Sequence, residues 1–101
     1  ADSVEEYIVQ LINATRRPAD YSEALADQLE YGASPRGTIA LERCARAHAW
    51  LAGKDYVSPD DVAAVIHDCL RHRLILSFEA EAAGTTANDV IDQLLAYVPV
   101  A

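Results

Sequence analysis

Ser58-Pro59-Asp60-Asp61-Val62-Ala63-Ala64-Val65-Ile66-His67-Asp68-Cys69-Leu70 carries the start signals of a helix and then the helix itself. Ser58 belongs to the residue types that cap helix N-termini. Pro59 suits the first helical position, where a missing N–H costs nothing, and Asp60 and Asp61 complement the partial positive charge of the first turn. Val62, Val65, Ile66, Cys69 and Leu70 follow at three- and four-residue spacing, the offsets that place side chains on one helical face. The stretch predicts an amphipathic helix with that face turned to a core.

The same punctuation occurs upstream, with Ser34 as N-cap, Pro35 at the first helical position and Gly53 just past the end. Between them Ala40, Leu41, Cys44, Ala45, Ala47, His48, Leu51 and Ala52 form a wide apolar face opposite Glu42, Arg43 and Arg46, as expected of a central core helix. Towards the N-terminus, Val4, Ile8, Leu11, Ile12 and Thr15 make a helical stripe over Ser3 to Arg17, with Ser3 as its cap and Pro18 as its stop. A fourth helix, capped by Thr85 or Thr86, carries Val90, Ile91, Leu94, Leu95 and Val98 before Pro99 ends it.

Two stretches lack this clarity. Residues 18–33 contain Pro18, Asp20, Ser22 and Gly32 and read as a long connection with one helical turn around Glu23 to Gln28. The apolar run Leu74 to Phe78 is too short for a stable helix and reads as a buried strand, whose expected partner is residues 28–31. An all-α fold of four helices with one short two-stranded pairing follows, in a single domain over residues 1–101.

Composition supports that fold class and narrows function. Of 101 residues, 51% are hydrophobic and 24% charged, a globular balance, and much of the apolar content is alanine, which favours helix and close helix approach. A formal net charge of −8 opposes nucleic-acid binding, because no broad basic surface is present to displace phosphate counterions. The aromatic residues Tyr7, Tyr31, Trp50, Tyr56 and Phe78 are accordingly expected to pack rather than stack on bases. No apolar run approaches the roughly 20 residues that cross a bilayer, so membrane insertion is not expected. Two cysteines make no disulfide framework and no secretory signal is visible, which implies a reducing cytosol.

Tyr31-Gly32-Ala33-Ser34-Pro35-Arg36-Gly37 is the stretch with the clearest chemical content, reading as a flexible joint that leads into a helix start. Unpaired backbone N–H groups at a helix N-terminus attract anions, phosphate among them. Arg36 adds a full positive charge at that end, against the dipole and at a cost of about a few tenths of a kcal/mol. The helix at Pro59 opens with two aspartates, so the departure at Arg36 marks a functional position. Arg71, His72 and Arg73 form a second basic cluster, electrostatically welcome at a helix C-terminus. Cys44 with His48, and His67 with Cys69 and His72, have spacings that metal sites use, but no paired C-x-x-C element accompanies them. Both cysteines fall on apolar faces, where a thiol acts as a small hydrophobe, and no metal site is expected.

Ala14-Thr15-Arg16, Tyr31-Gly32-Ala33-Ser34-Pro35-Arg36, Gly53-Lys54-Asp55-Tyr56-Val57-Ser58-Pro59-Asp60-Asp61-Val62, His72-Arg73-Leu74 and Val98-Pro99-Val100 occur in an order and at spacings that resemble the C-terminal lid of MoxR proteins, a branch of the AAA+ ATPases related to magnesium chelatase. The resemblance spans nearly the whole chain. It implies a small four-helix AAA+ lid in which Arg36, flanked by the nucleotide-binding Ser34 and Pro35, is the catalytic second sensor arginine on the terminal phosphates of ATP. Gly37, where a better helix former is more usual, is the one departure at that site.

The resemblance further implies ATP and Mg2+ bound mainly by a core domain that precedes Ala1 in the same chain, and a homo-oligomeric ring. It also implies a chaperone-like ATPase that remodels partners or assists cofactor or metal insertion, with a von Willebrand A domain protein as a partner. Arg73 and His72 become candidates for contact with the core or a neighbouring subunit. No G-x-x-x-x-G-K-[ST] loop or magnesium-binding acidic pair occurs in the chain, so it should bind no cofactor and hydrolyse no ATP alone. Its lack of Met and opening on Ala favour excision from a longer cytoplasmic protein. The alternative from a different class is a free-standing helical module that holds a partner helix in an apolar groove.

Overall fold

The computed structural model describes residues 2–99, excepting the side chain of Asp2. Val100, the last residue of the closing Val98-Pro99-Val100 stretch, lies outside them. Four long helices form the frame: α1 (Asp2–Arg16), α3 (Pro35–Leu51), α4 (Pro59–Leu70) and α6 (Ala87–Tyr97). Two shorter ones fill the connections, α2 (Glu23–Gln28) and α5 (Phe78–Ala82), and a 3-10 turn spans Pro18–Asp20. Strands β1 (Leu29–Tyr31) and β2 (Ile75–Leu76) pair antiparallel, Leu29 opposite Leu76 and Tyr31 opposite Ile75.

Each expected long helix and the small sheet are present, with differences at their edges. Ser3 lies inside α1 rather than at its cap. Phe78, grouped with the strand by its apolar neighbours, instead opens α5, because Ser77 caps that helix by accepting the Ala80 N–H at 3.2 Å. A serine followed by Phe-Glu-Ala-Glu is a helix start that the apolar run before it obscured. Thr86, not Thr85, caps α6, and Asp89 returns the favour by accepting the Thr86 N–H at 2.9 Å.

Leu11, Leu25, Leu41, Val62, Ile66, Leu70, Val90, Ile91 and Leu94 are wholly buried, drawn from five helices into one core. Helix α3 contributes a narrower stripe than its composition implied. Gly37, Leu41, Ala45 and Ala49 face inward at strict four-residue spacing, whereas Cys44, Ala47, His48, Leu51 and Ala52 are exposed. Small residues at three of those four positions let α3 lie close against α4, its most extensive packing partner. Gly53 ends the helix in the left-handed region at φ 80°, a conformation that glycine adopts without steric cost.

The expectation that the aromatic residues pack holds for Tyr7 and fails for the others. Tyr7 is buried, but Tyr31, Trp50, Tyr56 and Phe78 are exposed, Trp50 at 76% and Phe78 at 81%. Aromatic type alone does not give burial: Trp50 is on the outward phase of α3, Phe78 opens α5, Tyr31 ends β1 and Tyr56 lies in the connection before α4. Ile66→Ala should therefore destabilise the domain by about 2–5 kcal/mol through cavity formation. Trp50→Ala should stay within about 0.5 kcal/mol. Urea unfolding of both variants checks the pair.

Candidate functional site

The approach to Arg36 is built by two helices that are distant in sequence. At the C-terminal end of α1, the Thr15 side chain is buried, and its hydroxyl donates to the Ile12 carbonyl at 2.6 Å. The same oxygen accepts the N–H of Ala33 at 2.9 Å. One residue earlier the backbone passes so close to α1 that a Cβ on Gly32 would overlap the Thr15 carbonyl group. Gly32 is needed here for close approach, not for an unusual φ. The joint before Arg36, which reads as flexible in the sequence, is thus held by a steric contact and a buried hydrogen bond.

From Ala33, itself buried, the chain enters α3 through Ser34 in an extended conformation. Ser34 occupies the N-cap position without a side-chain capping bond, and its carbonyl accepts the Gly37 N–H at 2.8 Å. Ser34, Pro35 and Arg36 are all exposed. Gly37 is buried, and a Cβ there would meet Ala33 Cβ at 3.1 Å, Ile12 Cδ1 at 3.5 Å and Leu70 Cδ2 at 3.6 Å. The departure from helix propensity at Gly37 therefore has a packing cause: it seats the first turn of α3 between α1 and α4.

Arg36 takes part in no ion pair or side-chain hydrogen bond among the described residues. Several other cations are engaged: Arg46 with Glu42, Lys54 with Asp61, and Arg71 with Asp68 and Asn88. Arg73 donates from Nε to the Cys69 carbonyl at 3.0 Å and so caps the end of α4, with His72 exposed beside it. This accounts for Arg73 structurally, and no hydrogen bond joins Arg73 or His72 to Arg36 among the described residues, although the end of α4 packs through Leu70 against Gly37 in the first turn of α3. Among the described residues no three Cys, His, Asp or Glu side chains converge where a metal could sit.

A second buried polar centre lies at the other end of α3, where sequence reasoning saw only favourable helix-start acids. Asp61 is 2% exposed and receives Lys54 Nζ at 2.6 Å, while Nδ1 of His48 lies 2.8 Å from its other oxygen. The Ser58 N–H and hydroxyl also donate to it, at 2.8 and 3.0 Å. The Lys54 ammonium holds the Asp61 carboxyl well below the usual carboxylate range, with the Ser58 N–H, His48 and the Ser58 hydroxyl adding to the effect against the opposing cost of burial. The Gly53 to Val62 stretch is therefore a latch from α3 to α4. Asp60, the neighbouring acid, is exposed.

With this geometry in hand, residues 22–94 match the family model described as the AAA lid domain. The chain belongs to that family and is a lid of the MoxR kind. It is 38% identical over 91 residues to Chaperone MoxR1 of Mycobacterium tuberculosis, an alignment covering 89% of this chain and 24% of the relative. It is 64% identical over 39 residues to magnesium-chelatase subunit ChlI-1 of Arabidopsis thaliana, covering 39% of this chain and 9% of that one. A crystal structure of a proposed ATPase from Cytophaga hutchinsonii superposes with a TM-score of 0.96 at 44% identity, covering all of this chain and 31% of the other. The chain thus spans about a quarter to a third of its long-matching relatives. No helix is long and apolar enough to cross a membrane, among the described residues.

Three outcomes test the architecture of the site. Thr15→Val, which strands the buried Ala33 N–H, should cost about 1–3 kcal/mol of stability by denaturant unfolding. Gly32→Ala should cost more than Thr15→Val, because backbone rather than a flexible side chain must move. For Asp61 the folded pKa is depressed, so its stabilisation is present above the unfolded value of about 3.9 and is lost as pH falls through the folded one. Asp61→Asn should melt below the wild type at pH 7, and the gap should close in acid. A constant gap down to strong acid would refute the latch.

Proposed function

We propose that this domain is the nucleotide-sensing lid of a MoxR-type AAA+ ATPase and that Arg36 reaches the terminal phosphates of ATP held mainly by a core domain of the same chain. The observation that carries this reading is an exposed guanidinium, unpaired among the described residues, in the first turn of a helix whose start is fixed by the Thr15 and Gly32 contacts. A guanidinium stays charged at any working pH and forms forked hydrogen bonds to phosphate oxygens. Positioned by a rigid helix start, it stabilises charge that develops as the terminal phosphoryl group transfers. The backbone N–H groups of the first turn reinforce the preference for an anion, with Ser34 and Pro35 bordering the contact.

In this reading the core supplies the phosphate loop and the Mg2+ ligands, and lid position reports the nucleotide state through closure. The assembly is a homo-oligomeric ring with chaperone-like activity on partner proteins or in cofactor and metal insertion, as the name of the mycobacterial relative supports. A von Willebrand A domain protein is the proposed partner class. Arg73 and His72, exposed at the end of α4, remain candidates for a contact with the core or the next subunit.

The test is Arg36→Ala in the ATPase that contains this lid. ATP binding, read with a fluorescent analogue, should change little. Steady-state hydrolysis should fall by roughly 100-fold, the scale of removing one preorganised donor to a transition-state charge. Unchanged hydrolysis would remove Arg36 from the mechanism.

A further inference from the structure

Cys44 and Cys69 sit on different helices and meet at the edge of the α3–α4 packing. Cys69 Sγ lies 4.0 Å from the carbonyl oxygen of Ala40. In a regular helix that oxygen accepts the N–H of the residue four positions on, which is Cys44. The Cys69 sulfur therefore lies against the turn of α3 that ends at the Cys44 backbone, near enough for the Cys44 thiol to act on it. Each residue is three positions past a buried core residue, Leu41 and Ile66 respectively, so both line the rim of the same interface. Helix α3 packs on α4 through small residues, Ala45 among them, and a disulfide between the two helices requires a Cα separation of about 4.4–6.8 Å.

The two thiols are unequal in a useful way. Cys44 is exposed to solution, whereas Cys69 is half-buried. Burial, and then the Cys44 thiol itself, push the Cys69 thiol up to about 12. Consumption of the Cys44 thiol removes that second contribution; burial and the Asp68 charge still act to raise the Cys69 thiol, and the Arg73 charge acts to lower it.

We propose that Cys44 and Cys69 form a reversible thiol-modification site that takes low-molecular-mass disulfides and closes to a covalent staple between α3 and α4. The Cys44 thiolate attacks one sulfur of the small disulfide, forming a mixed disulfide and releasing one small thiolate, which takes up a proton. Cys69, after losing its proton to solvent, attacks the Cys44 sulfur, forms the bond between the helices and expels the second small thiol. Two protein thiols are oxidised and one small disulfide is reduced to two thiols, so electrons and protons balance. The staple fixes α3, the helix that carries Arg36, onto α4. It does not depend on Arg36 contacting nucleotide.

The experiment incubates the chain with oxidised glutathione, alkylates free thiols and reads intact mass and melting temperature. The wild type should lose two hydrogens in mass with no retained adduct, stay monomeric, melt higher than the reduced chain, and revert with dithiothreitol. Cys69→Ser should stop at a single glutathione adduct on Cys44. Cys44→Ser should react far more slowly than the wild type, since its remaining thiol is shielded. A stable glutathione adduct on the wild type, a disulfide-linked dimer, or an oxidised chain that melts below the reduced one would each overturn the proposal.

Discussion

The Thr15 hydroxyl, placed between the end of α1 and the start of α3, is the contact on which the geometry of this domain depends. It donates to its own helix and accepts the Ala33 N–H, while Gly32 lets the incoming backbone rest directly on the Thr15 carbonyl. A buried N–H left unpaired costs far more than a formed hydrogen bond gains, so the arrangement strongly disfavours alternatives. Gly37 completes the junction by letting Ile12, Ala33 and Leu70 close around the first turn of α3. Because α3 is anchored before it begins, Arg36 projects from a defined position, as the proposed contact with phosphate requires.

The opposite end of α3 is secured by charge rather than by close backbone approach. Asp61, almost fully buried, collects Lys54, His48 and Ser58 and ties the helix C-terminus to the start of α4. A buried carboxylate is tolerated only when its lone pairs are met, and here they are. Near this latch the exposed Trp50 and Tyr56 border an open cleft of about 590 Å3 with Lys54 and Arg46. The helix thus has one end that offers a lone cation and another that offers aromatic surface, joined by a stripe of small buried residues.

Much of this was legible from residue order. The Ser-Pro starts, the three- and four-residue spacing after Val62, and the glycine at position 53 identify the long helices because each signal has a local cause. Arg36 is conspicuous because it opposes the helix dipole where Asp60 and Asp61 obey it. The roles of Gly32 and Thr15 were not legible, because each depends on a partner that only the fold brings near. Lys54, His48 and Asp61 are hidden in the same way, since a helix-start aspartate looks alike whether buried or solvated. The phase of α3 is not fixed by its composition, because alanine suits a buried stripe and an exposed face equally well, and a negative net charge argues against base stacking by the aromatic residues without implying that they are buried.

The two halves of the anchorage, steric at Gly32 and polar at Thr15, converge on one backbone group whose behaviour can be followed directly. Amide hydrogen exchange at Ala33 isolates that group from the rest of the connection. With the junction held as described, the Ala33 N–H should exchange as slowly as core amides such as that of Ile66. Exchange at the fast rate of an exposed loop amide would mean that the segment before Arg36 is loose and that the proposed positioning of its guanidinium is wrong.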